Sequence, residues 1–253
     1  MPYGLYLSAA GADVQSQRME VISNNLANVD TPGFRRDVPI QRSRFAEAVQ
    51  RGLMSPHAGG LDDIGGTTRL VETATDLGVG AYETTRMPSD LAIRDQPQTF
   101  FTVQRGETTF LTRAGDFRFD GAGSLRTSSG ETVLGADGTP VTVDPAGGPW
   151  RFDPGGVLVQ AGRRVPVGLV RVASRADLLK RGENLFEAVG PTTPVEPSTR
   201  SVESGVLEKS GVKPVQEMMH LLEASRAHEA NIRLVQHQDQ AMGSLIGRVL
   251  KAS

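Results

Sequence analysis

Apolar residues recur at helical spacing at both ends of this 253-residue chain and at β spacing in between. The length of the two terminal stripes limits what the chain can fold into. Leu5, Ala9, Ala12, Ser16, Met19, Ile22, Leu26 and Val29 step by three or four residues along one stripe. Near the other end Val215, Met218, Leu222, Ser225, Ile232, Val235, Met242, Leu245 and Val249 share one stripe, with polar breaks near His228 and Asp239. At ~1.5 Å per residue, a helix from Leu5 to Asn28 runs roughly 36 Å and one from Pro214 to Lys251 roughly 57 Å. A compact domain of ~100 residues has a radius of gyration of only ~13 Å and cannot cover both stripes. The helices must therefore find each other or copies from other chains. Leu221, Ala224, Ala227, Leu234 and Ala241 form a second apolar edge that points away from the first, so the longer helix calls for neighbours on more than one side.

The N-terminal stripe ends in "VISNNLANVDTPGF", where Pro32 and Gly33 suit the central positions of a type II turn and the residue before proline resists the α region. Asparagine is a mediocre helix former, because its amide competes for backbone hydrogen bonds. Asn24, Asn25 and Asn28 therefore need a reason. In one reading their amides line a shoulder of the seam and fix register between helices; in the other, Asn25 and Asn28 fray and cap the helix end.

From residue 35 to 88 the periodicity is poor. "FAEAVQRGLM" suits a short helical turn, and His57 to Thr68 is a Gly-rich loop. Between Leu91 and Val189 the apolar period becomes two, with turns at Arg105-Gly106, Asp120 to Gly123 and Ala136 to Thr139, which indicates antiparallel strands without βαβ alternation. "GPTTPVEPSTRSVESG" reads as a tether, and Pro214 suits a helix start. The expected fold class is α+β. Residues 1–34 and 205–253 pair as a coiled-coil-like helical domain, 35–88 form a partly irregular connector, and 89–204 form a mainly antiparallel β-domain with its exit tether.

Composition excludes several classes of function. With 27 Lys+Arg against 29 Asp+Glu and no cysteine, the chain has no whole-molecule attraction for nucleic acid, no disulfides and no thiolate chemistry. The N-terminus has no basic segment ahead of an apolar run, so it does not read as a cleavable secretory signal. No apolar run approaches the roughly 18 residues of a membrane span. His57, His220, His228 and His237 lack metal-ligand spacing, Gly121-x-Gly123 lacks the third glycine of a dinucleotide site, and Asp116 with Asp120 is explained by turn chemistry better than by calcium. No catalytic, cofactor or metal site is expected.

"SNNLANVDTPGFRR", "TRAGDFRFDGAGSL" and "LEKSGVKPVQEMMHLLEASRAHEANIRLVQHQDQAMGSLI" together resemble the bacterial flagellar basal-body rod family, of the type designated FlgF or FlgG. The resemblance implies a non-enzymatic axial subunit whose terminal helices pack into tubes around the export channel, with the β-domain outside and torque transmitted along the rod. It also implies a basal-body, periplasmic location, export by the flagellar type III apparatus without a cleaved signal, and self, rod and hook proteins as partners. The family's helix-end motif falls on Asn24, Asn25, Leu26, Ala27, Asn28, Thr31, Gly33 and Phe34, and its C-terminal signature on Glu217, Met218, Arg226, Glu229, Asn231, Gln236 and Asp239. With the stripe residues, the expected assembly contacts are Leu5, Ala9, Ala12, Met19, Ile22, Asn24, Asn25, Leu26, Asn28, Met218, Leu222, Arg226, Glu229, Asn231, Ile232, Val235, Gln236, Asp239 and Met242. Thr31, Pro32, Gly33 and Phe34 form the turn motif. Two positions depart from the family: Lys213 replaces the usual helix cap unless Ser210 substitutes, and His228 stands where Tyr or Phe is common. The pattern also admits a soluble homodimeric coiled-coil adaptor carrying a β-domain.

Overall fold

The computed structural model describes residues 3–43, 68–94, 96–196 and 199–251. The predicted "FAEAVQRGLM" turn, His57 and the Gly59 to Gly66 loop lie outside the described residues. The chain divides into two compact units, one of residues 1–27, 37–74 and 213–253 and one of residues 28–36 and 75–212. The architecture is α+β, with a helix at each end and a mostly antiparallel β-rich middle.

In the helical unit, α1 (Tyr3–Ala27) packs antiparallel against α2 (Pro214–Lys251). Ser210 does not supply the missing cap: its hydroxyl accepts the N–H of Val212 at 3.2 Å. The same unit contains a two-stranded sheet of Asp37–Ser43 and Thr68–Thr75, within the stretch read as a partly irregular connector. Pro39 lies within the first of these strands, where a two-stranded ribbon leaves one side of each strand unpaired and tolerates it.

The β unit is built around the strand Thr99–Arg105, which pairs with Thr108–Thr112, Leu169–Val172 and Thr132–Val133. The first pairing is the predicted hairpin; Gly106 at its tip has a φ of 62°, in the left-handed region glycine tolerates. Successive side chains of a strand point to opposite faces. Phe101 meets Phe117 edge-on with ring centroids 5.1 Å apart, and Phe100 meets Phe186 at 5.5 Å in a second cluster. Both faces of the sheet are therefore packed.

The segment read as a tether is part of this unit. Val202–Ser204 pairs with Leu91–Ile93 and Val206–Glu208 with Tyr82–Thr84, so the chain enters and leaves the unit as an antiparallel ribbon. Pro and Ser obscured the alternation of Val202 and Val206, both buried.

Candidate functional site

The contact between α1 and α2 is made by small and amide-bearing residues. A Cβ at Gly4 would stand 2.9 Å from Gln238 Nε2, and one at Gly11 would stand 3.1 Å from Asn231 Nδ2. Glycine lets the helices approach to this distance. His228 Nδ1 lies 3.0 Å from the Ala12 carbonyl; because a carbonyl only accepts, this nitrogen carries the proton. Ala224 is 0% exposed. Of the second edge of α2, Leu221, Ala224 and Ala227 are thus turned to α1 while Leu234 and Ala241 are exposed; of the longer stripe, Val215 is 71% exposed and Leu222 53%, with Met218, Ile232, Met242 and Leu245 also exposed and Val235 half-buried.

The expected contact residues divide accordingly. On α1, Ala12, Ile22 and Asn25 are buried, Leu5, Met19 and Leu26 are half-buried, and Ala9 and Asn24 are exposed. On α2, Asn231 and Val235 are half-buried, whereas Met218, Leu222, Arg226, Glu229, Ile232, Gln236, Asp239 and Met242 are exposed. Asn25, only 1% exposed, has a role neither sequence reading foresaw. Its Nδ2 donates to the Asp37 carbonyl and its Oδ1 accepts the Asp37 N–H, both at 2.8 Å. One side chain ties the helix end to the start of the following strand.

The turn motif belongs to the β unit. Gly33 has φ 66° and Phe34 N–H donates to the Thr31 carbonyl at 3.2 Å, as a type II turn requires. Asn28 accepts from Thr31 through both its carbonyl, at 3.3 Å, and its Oδ1, at 3.2 Å. Gly33 N–H donates to the Glu208 carbonyl at 2.7 Å, and a Cβ on Gly33 would collide with the Arg113 carbonyl.

Beneath this turn lies a charged cluster that sequence reasoning missed. Arg35 Nη1 is 2.8 Å from Glu208 Oε1, and Arg113 Nε is 2.6 Å from Glu208 Oε2. All three residues are buried. Arg113 further donates to the carbonyls of Ile93 and Gln96 at 2.8 Å and to that of Thr99, while Gly80 N–H donates to Glu208 Oε1 at 3.0 Å. Burial lowers the Arg35 pKa, Glu208 opposes that shift and Arg113 adds to it. The available signal was Glu208 at an inward position of the alternating Val206–Glu208 strand, where an acid implies a buried partner.

Among the described residues no helix is long and apolar enough to cross a membrane, and no group of His, Cys, Asp and Glu side chains could hold a metal ion.

Three family models match the chain: "Flagella basal body rod protein" over residues 5–35, "Flagellar hook protein FlgE/F/G D1 domain" over 96–161 and "Flagellar basal body rod FlgEFG protein C-terminal" over 203–248. The flagellar basal-body rod protein FlgG of Buchnera aphidicola (subsp. Acyrthosiphon pisum) is 30% identical over 95% of this chain and 97% of its own length. The chain belongs to the flagellar basal-body rod protein family. FlgF of Caulobacter vibrioides, 28% identical over 99% of both chains, and FlgG of Bacillus subtilis, 27% identical over 96% and 97%, are further relatives. Rod proteins of this family are structural and not enzymes, their place is the flagellar basal body, and they assemble with other axial flagellar proteins.

Proposed function

We propose that this chain is a structural subunit of the rod that polymerises with helical symmetry around the export channel and transmits torque for motility. The observation that carries this reading is the outward stripe of α2, whose Val215, Met218 and Leu222 are left to solvent by their own chain. Covering such a side chain is worth about 1.5–3 kcal/mol each, and repeated head-to-tail contacts give a filament where a closed two-fold contact gives only a dimer. In this reading the residues of 1–34 and 205–253 make the axial contacts, with α1 and α2 paired in coiled-coil fashion, and 89–204 lies outside them beyond the 35–88 connector. The subunit crosses the inner membrane through the type III apparatus without a cleaved signal and works in the periplasmic part of the basal body.

Leu222→Asp tests this, because an exposed position can accept a charge without unfolding the chain. Secretion and thermal stability should match the parent, while incorporation into purified basal bodies and swimming are lost. Normal swimming would refute the assignment. A parent protein that sediments as a dimer over a wide concentration range would favour the adaptor instead.

A further inference from the structure

Sulfur enters this chain only through methionine, because it has no cysteine. With no thiol to react first, an oxidant falls on the thioethers that solvent reaches. Of the described methionines, Met218 is 54% exposed, Met219 59% and Met87 60%, Met242 is 37% exposed and Met19 is half-buried.

Met218 and Met219 stand side by side near the start of α2. Residues three and four apart on a helix are surface neighbours, so each of the two lies beside both Val215 and Leu222. All four are exposed, and the methionines occupy the middle of one apolar patch. Met87 offers the same group at the same exposure in another setting. It sits in a turn of the β unit, where its carbonyl accepts the Asp90 N–H at 3.0 Å, between exposed Arg86 and Pro88.

We propose that Met218 and Met219 form an oxidation site on the free subunit, with hydrogen peroxide as the oxidant, and that their sulfoxides bar the subunit from assembly. The oxidation itself needs only two reachable thioethers; its effect on assembly rests on the rod reading above. A sulfur lone pair attacks one peroxide oxygen, the O–O bond breaks as the S–O bond forms, and the second oxygen leaves as water with both protons. Sulfur loses two electrons and the peroxide gains them. A flexible apolar side chain thereby becomes a polar one that is costly to desolvate, in the centre of a patch whose use is burial. Two thiols of a methionine sulfoxide reductase reverse the step, joining as a disulfide while the oxygen leaves as water. Subunits already assembled keep the patch covered, so the site is open only before incorporation.

The first experiment treats the full-length chain with hydrogen peroxide and follows each methionine by peptide mass spectrometry. Met218, Met219 and Met87 should each gain one oxygen before Met19 does; oxidation of Met19 at the same rate would overturn the site. The second experiment co-expresses the parent with Met218→Leu/Met219→Leu in one cell, so that all other oxidative damage is shared. Leucine keeps the size and apolarity of methionine and does not form a sulfoxide. After a peroxide pulse, the ratio of newly made chains in basal bodies should move at least about tenfold toward the double variant relative to untreated cells, the equivalent of losing the burial of one methionine. Met87→Leu, paired with the parent in the same way, should show no movement. Within the parent, chains made during the pulse should carry Met87 sulfoxide equally in the basal-body and unassembled pools, and Met218 and Met219 sulfoxide mainly in the unassembled pool. An unmoved ratio, an equal movement for Met87→Leu, or equal Met218 and Met219 sulfoxide in both pools would each overturn the proposal. The rod reading fails on a different result. Normal swimming by Leu222→Asp removes it and leaves the oxidation rates standing, whereas lost swimming by Leu222→Asp with an unmoved ratio keeps the rod and removes the oxidation control.

Discussion

Phe100 and Phe101, neighbours on one strand of the β unit, are both fully buried, whereas Val215 and Leu222 on α2 are 71% and 53% exposed. The β unit buries large apolar side chains on both faces of a sheet and encloses charged ones as well. The α1–α2 pair differs: Gly4, Gly11, Ala12, Asn231 and His228 lie in its contact, and large apolar side chains of α2 such as Val215, Met218 and Leu222 are left exposed. The β unit has a buried core of its own, whereas the helix pair leaves apolar area of α2 exposed. In the rod reading proposed above, the same apolar content serves folding in one unit and association in the other.

The largest effect expected is in the β unit. Glu208 is the only anion facing Arg35 and Arg113 among the described residues, and both arginines are fully buried. Glu208→Ala should reduce stability by about 3–5 kcal/mol, since removing one partner strands buried charge. Urea unfolding followed at Trp150 measures it. Glu208→Gln, which keeps an acceptor but no charge, should fall between the two. A loss below about 1 kcal/mol for Glu208→Ala would mean that the arginines re-satisfy themselves on backbone carbonyls, and the β unit would not depend on its charged interior.

The terminal helices and the β class were legible because their signals are periodic and local: α2 spans Pro214–Lys251 as its pattern indicates, and the Arg105-Gly106 and Pro32-Gly33 turns follow from glycine chemistry. What sequence could not show was direction. Both edges of α2 are apolar, and the part of the smaller one around Ala224 packs inward because close approach favours small residues over large ones. Strands made by pairing distant segments were hidden too, since Val202–Ser204 becomes a strand only through Leu91–Ile93. The Arg35–Glu208–Arg113 cluster joins residues too far apart in sequence for any spacing rule.

A middle-sized effect tests how the helical unit holds its end. Asn25→Ala removes both bonds to the Asp37 backbone and leaves its N–H and carbonyl without those partners. A loss of about 1–3 kcal/mol is expected, the desolvation penalty of buried groups left unsatisfied. Hydrogen exchange should show the Asp37 amide opening faster while the amides of Thr102 and Leu134 in the β unit keep their protection. Loss of protection in both places would erase the distinction between two separately stabilised units.

The smallest effect concerns a carboxyl that the β unit encloses at some cost. Asp90 is buried, and burial pushes its pKa above the ordinary carboxylate value, with Asp116 adding to the shift while Thr85 and Arg118 oppose it. A raised pKa in the folded state means that folding prefers the protonated form. The stabilising contribution is therefore complete below the unfolded carboxylate range and is lost as pH rises through the higher folded value. Asp90→Asn keeps an acceptor for the Thr85 hydroxyl and carries no charge at any pH. It should melt slightly above the parent at neutral pH, and the difference should vanish in acid below the ordinary carboxylate range. A variant less stable than the parent at neutral pH would show that the ionised Asp90 is held favourably, and that the β unit tolerates this charge as well as it tolerates Glu208.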